Sequence, residues 1–417
     1  MMQAQSCGID FGTSNSTLAL ADASGARLVA LEGNHVTLPS AVFWDAEGAP
    51  PLFGRAAIAA YVEGEEGRLM RGLKSTLGSA LIHEKTRVGN RAIAFTDVLG
   101  RFFGHLRTRL DATGGEGIDR AVLGRPVHFV DGDAAGDAAA QDVLEGLARK
   151  IGLNEVAFQY EPIAAALHYE QGITREELVL IVDIGGGTSD FSIVRVSPER
   201  ARSADRQADI LANDGVRVGG TDFDRLLSLA EVMPLLGYNQ PTKTGTLPRH
   251  YFLDLATWHR INALYGQGVT NDLKALRKIA SEPERLDRMI RVVTTRAGHA
   301  LAMAVEAAKI TLTSASEATV RIADLTGGPD TVATRAGFEA AIAPPLERVS
   351  TAIRATLAQA GLQPEAIGTV FLTGGSSSLP ALRAAVAAIL PGAPIASGDD
   401  FGSVGTGLAL DARRRFG

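Results

Sequence analysis

The chain has 417 residues, 46% of them hydrophobic and 21% charged, enough to bury roughly two to four structural units and too apolar to be disordered or fibrous. A net charge of −6 gives no basic nucleic-acid footprint. One cysteine, Cys7, excludes an internal disulfide and suits a reducing compartment. No long uncharged apolar run predicts a membrane helix, and Met1 to Ser6 lacks the charged and apolar parts of a signal peptide. A cytoplasmic location is expected.

Cys7 to Phe11 reads as an apolar strand that turns at Gly12 and returns as Thr17 to Ala21, with Cys7 a buried small hydrophobe. Residues 24 to 55 look strand-rich, with turns at Ser24-Gly25, Gly33-Asn34 and Gly48. Phe95 to Leu110 places apolar residues at helical spacing, and Asp137 to Ile151 does so again before Gly152. Arg120 to Gly124 and Val156 to Gln159 read as short strands, and Pro162 opens a helix through Tyr169. Leu178 to Ile184 is a strongly apolar strand that turns at Gly185-Gly186-Gly187 and returns as Phe191 to Val196. Residues 235 to 295 predict a mostly helical insert. Helices are expected over Thr295 to Thr313, Phe338 to Gly361, Pro380 to Leu390 and Val404 to Phe416, with a strand over Thr369 to Thr373. Strands and helices alternate, so the class is α/β.

The informative feature is a repeat. Gly8-Ile9-Asp10-Phe11-Gly12-Thr13-Ser14-Asn15 and Val182-Asp183-Ile184-Gly185-Gly186-Gly187-Thr188-Ser189-Asp190 share a strand, an Asp, a Gly turn, Thr-Ser and then Asn or Asp. The pattern predicts a duplicated domain with a cleft between lobes. Bare glycine backbone lets N–H groups approach an anion, and the Thr and Ser hydroxyls add donors. A carboxylate in each copy can bind Mg²⁺ directly or through water. Two such turns facing each other would clamp a polyphosphate.

Two further Gly turns resemble these. Val370 to Thr373 runs into Gly374-Gly375-Ser376 and a helix at Pro380, and Val218-Gly219-Gly220-Thr221-Asp222-Phe223-Asp224 also opens a helix. Glu306, Lys309 and Thr313 share one helix face. From spacing alone they read first as an exposed i,i+3 ion pair, and otherwise as a carboxylate, ammonium and hydroxyl able to hydrogen-bond a nucleoside. No zinc-ligand spacing and no G-x-S-x-G elbow is present, and Gly67 to Ser75 is one residue off a Walker A loop.

Gly8–Ser16, Glu161-Pro162-Ile163-Ala164-Ala165-Ala166-Leu167, Asp183–Asp190, Gly219–Asp224 and Gly374–Pro380, in that order, resemble the ATPase domain of DnaK-type heat-shock chaperones. The phrases Phe158-Gln159-Tyr160-Glu161-Pro162, Met233-Pro234-Leu235-Leu236-Gly237 and Gly398-Asp399-Asp400-Phe401-Gly402-Ser403-Val404 are most similar to YegD-like chaperones. The resemblance implies an actin-like ATPase fold with ribonuclease H-like duplicated lobes, each with a core and an accessory subdomain. Lobe I would span 1–175 (core 1–33 and 118–175, accessory 34–117). Lobe II would span 176–395 (core 176–227 and 316–395, helical accessory 228–315), and 396–417 would be a C-terminal helix returning to lobe I.

It also implies slow hydrolysis of ATP to ADP and phosphate, with nucleotide state setting lobe closure and the binding of a protein partner, and with an exchange factor. Asp10 and Asp183 would organise Mg²⁺ through its waters. Thr13, Ser14 and Asn15, after Gly12, would hold phosphate from one lobe and Gly185, Gly186, Gly187 and Thr188 from the other. Lys74 would position the attacking water and the γ-phosphate, with Glu161 and Asp190 completing the polar ring, Thr188 among the catalytic residues, and either Glu161 or Asp183 orienting the water. Asp10, Thr188 and Asp190 would lie near K⁺ sites. Gly219, Gly220, Glu306, Lys309, Thr313, Gly374, Gly375 and Ser376 would contact the nucleotide, and Pro126 resembles the interlobe proline.

Ser378 and Ile310 stand where these chaperones usually carry arginines, which predicts weaker stacking on the base. The sequence ends at Gly417, and no peptide-binding β-domain is expected after it. A small-molecule kinase or a filament-forming ATPase on the same fold would remain as alternatives. A kinase should release ADP faster with some acceptor, and only a filament should scatter more light with protein concentration.

Overall fold

The computed structural model describes residues 5–22, 25–78, 80–88, 90–130, 133–170, 172–203, 205–242, 245–397 and 402–416. Ser24 and the motif residues Gly398-Asp399-Asp400-Phe401 lie outside the described residues. The chain divides into two compact units, residues 1–216, 351–377 and 386–417 in the first, and 217–350 with 378–385 in the second. Among the described residues no helix is long and apolar enough to cross a membrane.

The first unit holds two five-strand ladders of identical connectivity. The elements that build and cover these two ladders are, in chain order, β1 (Ser6–Phe11), β2 (Asn15–Asp22), β3 (Gly25–Leu28), β4 (Thr37–Pro39), α1 (Phe95–Leu110), β5 (Arg120–Arg125), α2 (Ala134–Lys150), β6 (Glu155–Tyr160) and α3 (Glu161–Glu170). They continue with β7 (Glu177–Ile184), β8 (Ser189–Val196), β9 (Ile210–Val216), β10 (Thr369–Thr373), β11 (Ile395–Ser397) and α4 (Ser403–Phe416). One sheet runs β6-β5-β1-β2-β3, with β4 also on β2, and the other β9-β8-β7-β10-β11. Each is an antiparallel meander of three strands extended by two parallel ones. The repeat in the sequence is therefore a repeat of topology.

Strand parity sets what each face carries, because successive side chains point to opposite sides. Cys7, Ile9 and Phe11 enter the core that holds Val98, Leu99, Phe102 and Phe103 of α1 and Leu144 of α2. Gly8 and Asp10 face the other way. In β7, Val179 and Ile181 join Ile163 to Leu167 of α3 and Leu408 of α4 in a second core, which Val122 of β5 also enters. Asp183 has the parity of that face. Helices α3 and α4 are thus packed in this second core between side chains of both sheets. The approach is close: a Cβ on Gly407 would meet the Ala164 carbonyl at 1.8 Å, and one on Gly8 the Ala409 nitrogen at 2.4 Å.

Several expected boundaries shift for local reasons. Helix α2 starts three residues before the expected Asp137, because Asp133 accepts hydrogen bonds from the Ala135 and Gly136 amides and caps it. The helix expected from Thr295 begins at Gly298, after Arg296 adopts φ 55° and interrupts the backbone. The helix expected from Phe338 begins at Arg335 and runs through Pro344 and Pro345. Strand β9 carries no alternating signal and is made by pairing with β8.

The second unit is mostly helical. It includes Gly220–Leu227, His250–Leu255, Gln267–Arg277, Pro283–Thr294 and Gly298–Leu312, and a hairpin of Glu317–Val320 with Thr331–Thr334.

Candidate functional site

The two Gly turns of the first unit meet. A Cβ on Gly186 would lie 2.1 Å from Ser14 Oγ, so the tip of one turn touches the other only because residue 186 has no side chain. Ser40 holds the first turn: its hydroxyl donates to the Gly12 carbonyl at 2.6 Å and its amide to the Ser14 carbonyl at 2.9 Å. The second turn closes on itself through the Gly185 amide and the Thr188 carbonyl at 2.9 Å. Thr188 Oγ1 donates to Asp190 Oδ2 at 3.2 Å. Thr13, Gly187, Thr188 and Asp190 are exposed, and Asn15 opens β2.

Asp10 and Asp183 are each the penultimate residue of their strand, opposite Thr17 and Asp190 respectively. Gly374 follows β10 with φ 85°, a conformation that favours glycine. A Cβ there would come 2.6 Å from Asp183 Oδ1 and 2.4 Å from the Ile184 carbonyl. This brings the Gly374-Gly375-Ser376 loop to the base of the second turn, with Gly375 exposed and Ser376 buried.

Lys74 sits in a short turn, Leu73–Thr76. Its Nζ donates to Glu161 Oε1 at 2.5 Å, and both side chains are largely buried, at 10% and 16% exposure. Glu161 is the first residue of α3. Burial pushes the Asp10 carboxyl up to about 7, helped by Glu161 and Asp183 and opposed by Lys74. Burial likewise pushes Asp183 up to about 7, helped by Asp190 and Glu161 and opposed by Lys74. Burial works against the Lys74 charge, but Glu161, Asp10 and Asp183 more than offset it and hold the ammonium above its ordinary value.

Three carboxylates, of Glu161, Asp10 and Asp183, therefore act on one ammonium beside two turns rich in N–H and O–H donors. An excess of hard oxygen donors fits a divalent cation such as Mg²⁺. Among the described residues no group of three or more His, Cys, Asp or Glu could hold a metal directly.

The remaining candidates lie in the second unit, where Lys309 and Gly220 come together. Gly219 caps Gly220–Leu227, with its amide donating to Asp222 Oδ2 at 3.1 Å. Lys309 does not make the i,i+3 pair with Glu306 that spacing favoured. It is buried, and its Nζ pairs with Asp224 Oδ1 at 2.8 Å and approaches the Gly220 carbonyl at 3.4 Å. The carboxylate from the neighbouring helix offers a drier site than exposed Glu306. Thr313 Oγ1 donates to the Ile310 carbonyl at 2.7 Å, and Ile310 is 59% exposed.

Ser40 carried no signal in the sequence, and Asp224 stood there only as the end of the Gly219–Asp224 motif, with no partner assigned to it. Ser40 matters because β4 pairs with β2, and Asp224 because two helices far apart in sequence pack together.

A family model described as Hsp70 protein matches residues 6–231 and 269–413. The chain is 31% identical over 308 residues to the Chaperone protein HscA of Pectobacterium carotovorum subsp. carotovorum, an alignment covering 74% of this chain and 39% of that protein. It is 27% identical over 428 residues to the Chaperone protein HscA homolog of Methylibium petroleiphilum, covering 98% of this chain and 58% of that protein. The chain thus spans less than two thirds of the length of these relatives.

Proposed function

The chain belongs to the Hsp70 protein family, and from that premise we propose that it binds ATP and ADP, hydrolyses ATP slowly, and uses its nucleotide state to control a protein partner. The observation that carries this reading is the Lys74–Glu161 pair set among Asp10 and Asp183, beside two Gly turns in contact.

The chemistry asked of the residues is positioning and charge stabilisation. Amides and hydroxyls of Gly12 to Asn15 and Gly185 to Thr188 would cradle the polyphosphate from two sides. Asp10 and Asp183 would hold Mg²⁺ through its waters, and the ion would neutralise charge on the transferring phosphoryl oxygens. The Lys74 ammonium would orient the γ-phosphate and the attacking water, while Glu161 fixes Lys74 and leaves a second oxygen for that water. Asp190 and Thr188, with Asp10, would offer oxygens to K⁺. On the nucleoside side we place Gly219, Gly220, Glu306, Lys309 and Thr313, with Gly374, Gly375 and Ser376 as the adenine-side loop.

The actin-like, ribonuclease H-like duplicated fold follows from the same reading, and the matching order of the two sheets supports it. Within the family we place the chain near YegD-like chaperones, on the phrases from Phe158 and Met233. Its partner would be a client protein or an exchange factor, in the cytoplasm. Phosphate release from Mg-ATP, measured beside Asp183→Asn, tests the function. Slow release that the variant abolishes supports it, and absence of both release and ATP binding in the wild type overturns it.

A further inference from the structure

The two residues of the central ion pair are held from behind by one bracket outside the site. Lys74 stands in a turn whose end is Gly78, at φ 71°. A Cβ on Gly78 would come 2.6 Å from Val130 Cγ2, so the turn is seated against Val130. Val130 is itself pinned: its amide and that of Phe129 both donate to Asp137 Oδ1, at 3.1 and 2.5 Å. His128 Nδ1 lies 3.1 Å from Asp137 Oδ2, and Arg125 Nη2 lies 4.0 Å from it.

The bracket's other arm reaches Glu161. The Arg125 guanidinium lies over two rings, 5.4 Å from the Phe129 centroid and 5.3 Å from that of Tyr160. Its Nη1 donates to Gln141 Oε1 at 2.6 Å and its Nε to the Pro126 carbonyl at 3.2 Å. Tyr160 precedes Glu161 in the chain and pairs with Arg125 across the sheet. One arm thus ends at the Lys74 turn and the other at the residue before Glu161.

We propose that Asp137, with Arg125, is a positioning residue that sets the geometry of the Lys74–Glu161 pair. The catalytic consequence rests on the ATPase reading, and the structural consequence does not. Removing the Asp137 carboxylate frees the Phe129 and Val130 amides, loosens the seat of Gly78, and lets the Lys74 turn open locally.

The test has two independent readouts on purified full chain. The first is the rate at which an amine-reactive acylating reagent labels Lys74, measured by mass spectrometry against exposed Lys150, with buried Lys309 as control. Asp137→Ala should label Lys74 about fivefold faster or more through local opening, with Lys309 unchanged. Asp137→Asn, whose amide oxygen can still accept both backbone bonds, should restore near wild-type labelling. The second readout is phosphate release, where Asp137→Ala should lower kcat roughly tenfold or more with nucleotide affinity changed less than about twofold. If Asp137→Ala does not fold, Arg125→Gln carries the same test through the other arm. Unchanged Lys74 labelling overturns the bracket whatever happens to hydrolysis, and faster labelling of Lys309 as well overturns it as general loosening. A wild type that releases no phosphate overturns the ATPase reading, while the Lys74 labelling still decides the bracket.

Discussion

Lys74 Nζ and Glu161 Oε1 meet at 2.5 Å across 87 residues of sequence, joining an irregular turn to the first residue of α3. Breaking a largely buried pair leaves one charge without its partner. Here the orphan would be a carboxylate that already faces Asp10 and Asp183. Lys74→Ala is therefore expected to destabilise the metal-free protein by about 3 kcal/mol and to abolish phosphate release. Urea unfolding of Lys74→Ala and of Lys74→Ala/Glu161→Gln measures this. The double variant should recover part of the loss, and an unchanged midpoint in the single variant would contradict the pairing.

The pH dependence of stability follows from Asp10 and Asp183, each pushed up to about 7 in the folded chain from an ordinary value of 3.8. Between these values the folded state binds more protons than the unfolded state. Their contribution to stability is thus fully present below about pH 4 and is lost as pH rises through about 7. Without metal, the unfolding midpoint should fall from pH 5 to pH 7.5, and Asp183→Asn should flatten that slope and be more stable than wild type at pH 7.5. Binding of Mg-ATP should release protons and strengthen as pH rises through 7. A midpoint that rises with pH equally in both proteins would count against this assignment.

Two neighbouring glycines separate folding from ligand contact. A Cβ on Gly187 meets nothing within 4 Å, whereas one on Gly186 strikes Ser14 Oγ. Gly187→Ala should leave ligand-free stability within about 0.5 kcal/mol of wild type and still weaken ATP binding, since the added methyl group would stand where phosphate approaches bare backbone. Gly186→Ala should lower stability as well. Calorimetric titration with Mg-ATP alongside thermal melts distinguishes them, and undiminished binding by Gly187→Ala would remove that turn from the phosphate site.

Lys309 and Glu306 make opposite predictions from one helix. Lys309→Ala should cost about 2 kcal/mol, as the loss of a charge-assisted bond to Asp224. Exposed Glu306→Ala should stay within about 0.5 kcal/mol, so any loss of nucleotide affinity in it reports a direct contact. Paired melts and binding isotherms check both, and a stability loss in Glu306→Ala comparable to that in Lys309→Ala would refute the distinction.

The legible parts of the chain were those where local pattern and final environment agree. The span Phe95–Leu110 was readable to the residue because its apolar face and its burial coincide. The strands before each Gly turn were readable because buried strands are apolar on both faces. Illegible parts depended on a distant partner: β9 needs β8, Ser40 acts through the β4–β2 pairing, and Lys309 chose Asp224 over Glu306. The Asp137 bracket was hidden for the same reason, since its amide acceptor, its aromatic rings and Gly78 come from separate segments.

By itself, then, the sequence determined the α/β class, the two Asp-bearing Gly turns and the parity that gives Asp10 and Asp183 their faces. These depend on side-chain type and backbone period, which are local quantities. Only the tertiary structure decided that the two turns touch at Ser14 and Gly186, that Lys74 pairs with Glu161, and that both Asp carboxyls are pushed up to about 7. Contact, ion pairing and desolvation depend on what lies within a few ångströms in space, and most of those neighbours are far away in the chain.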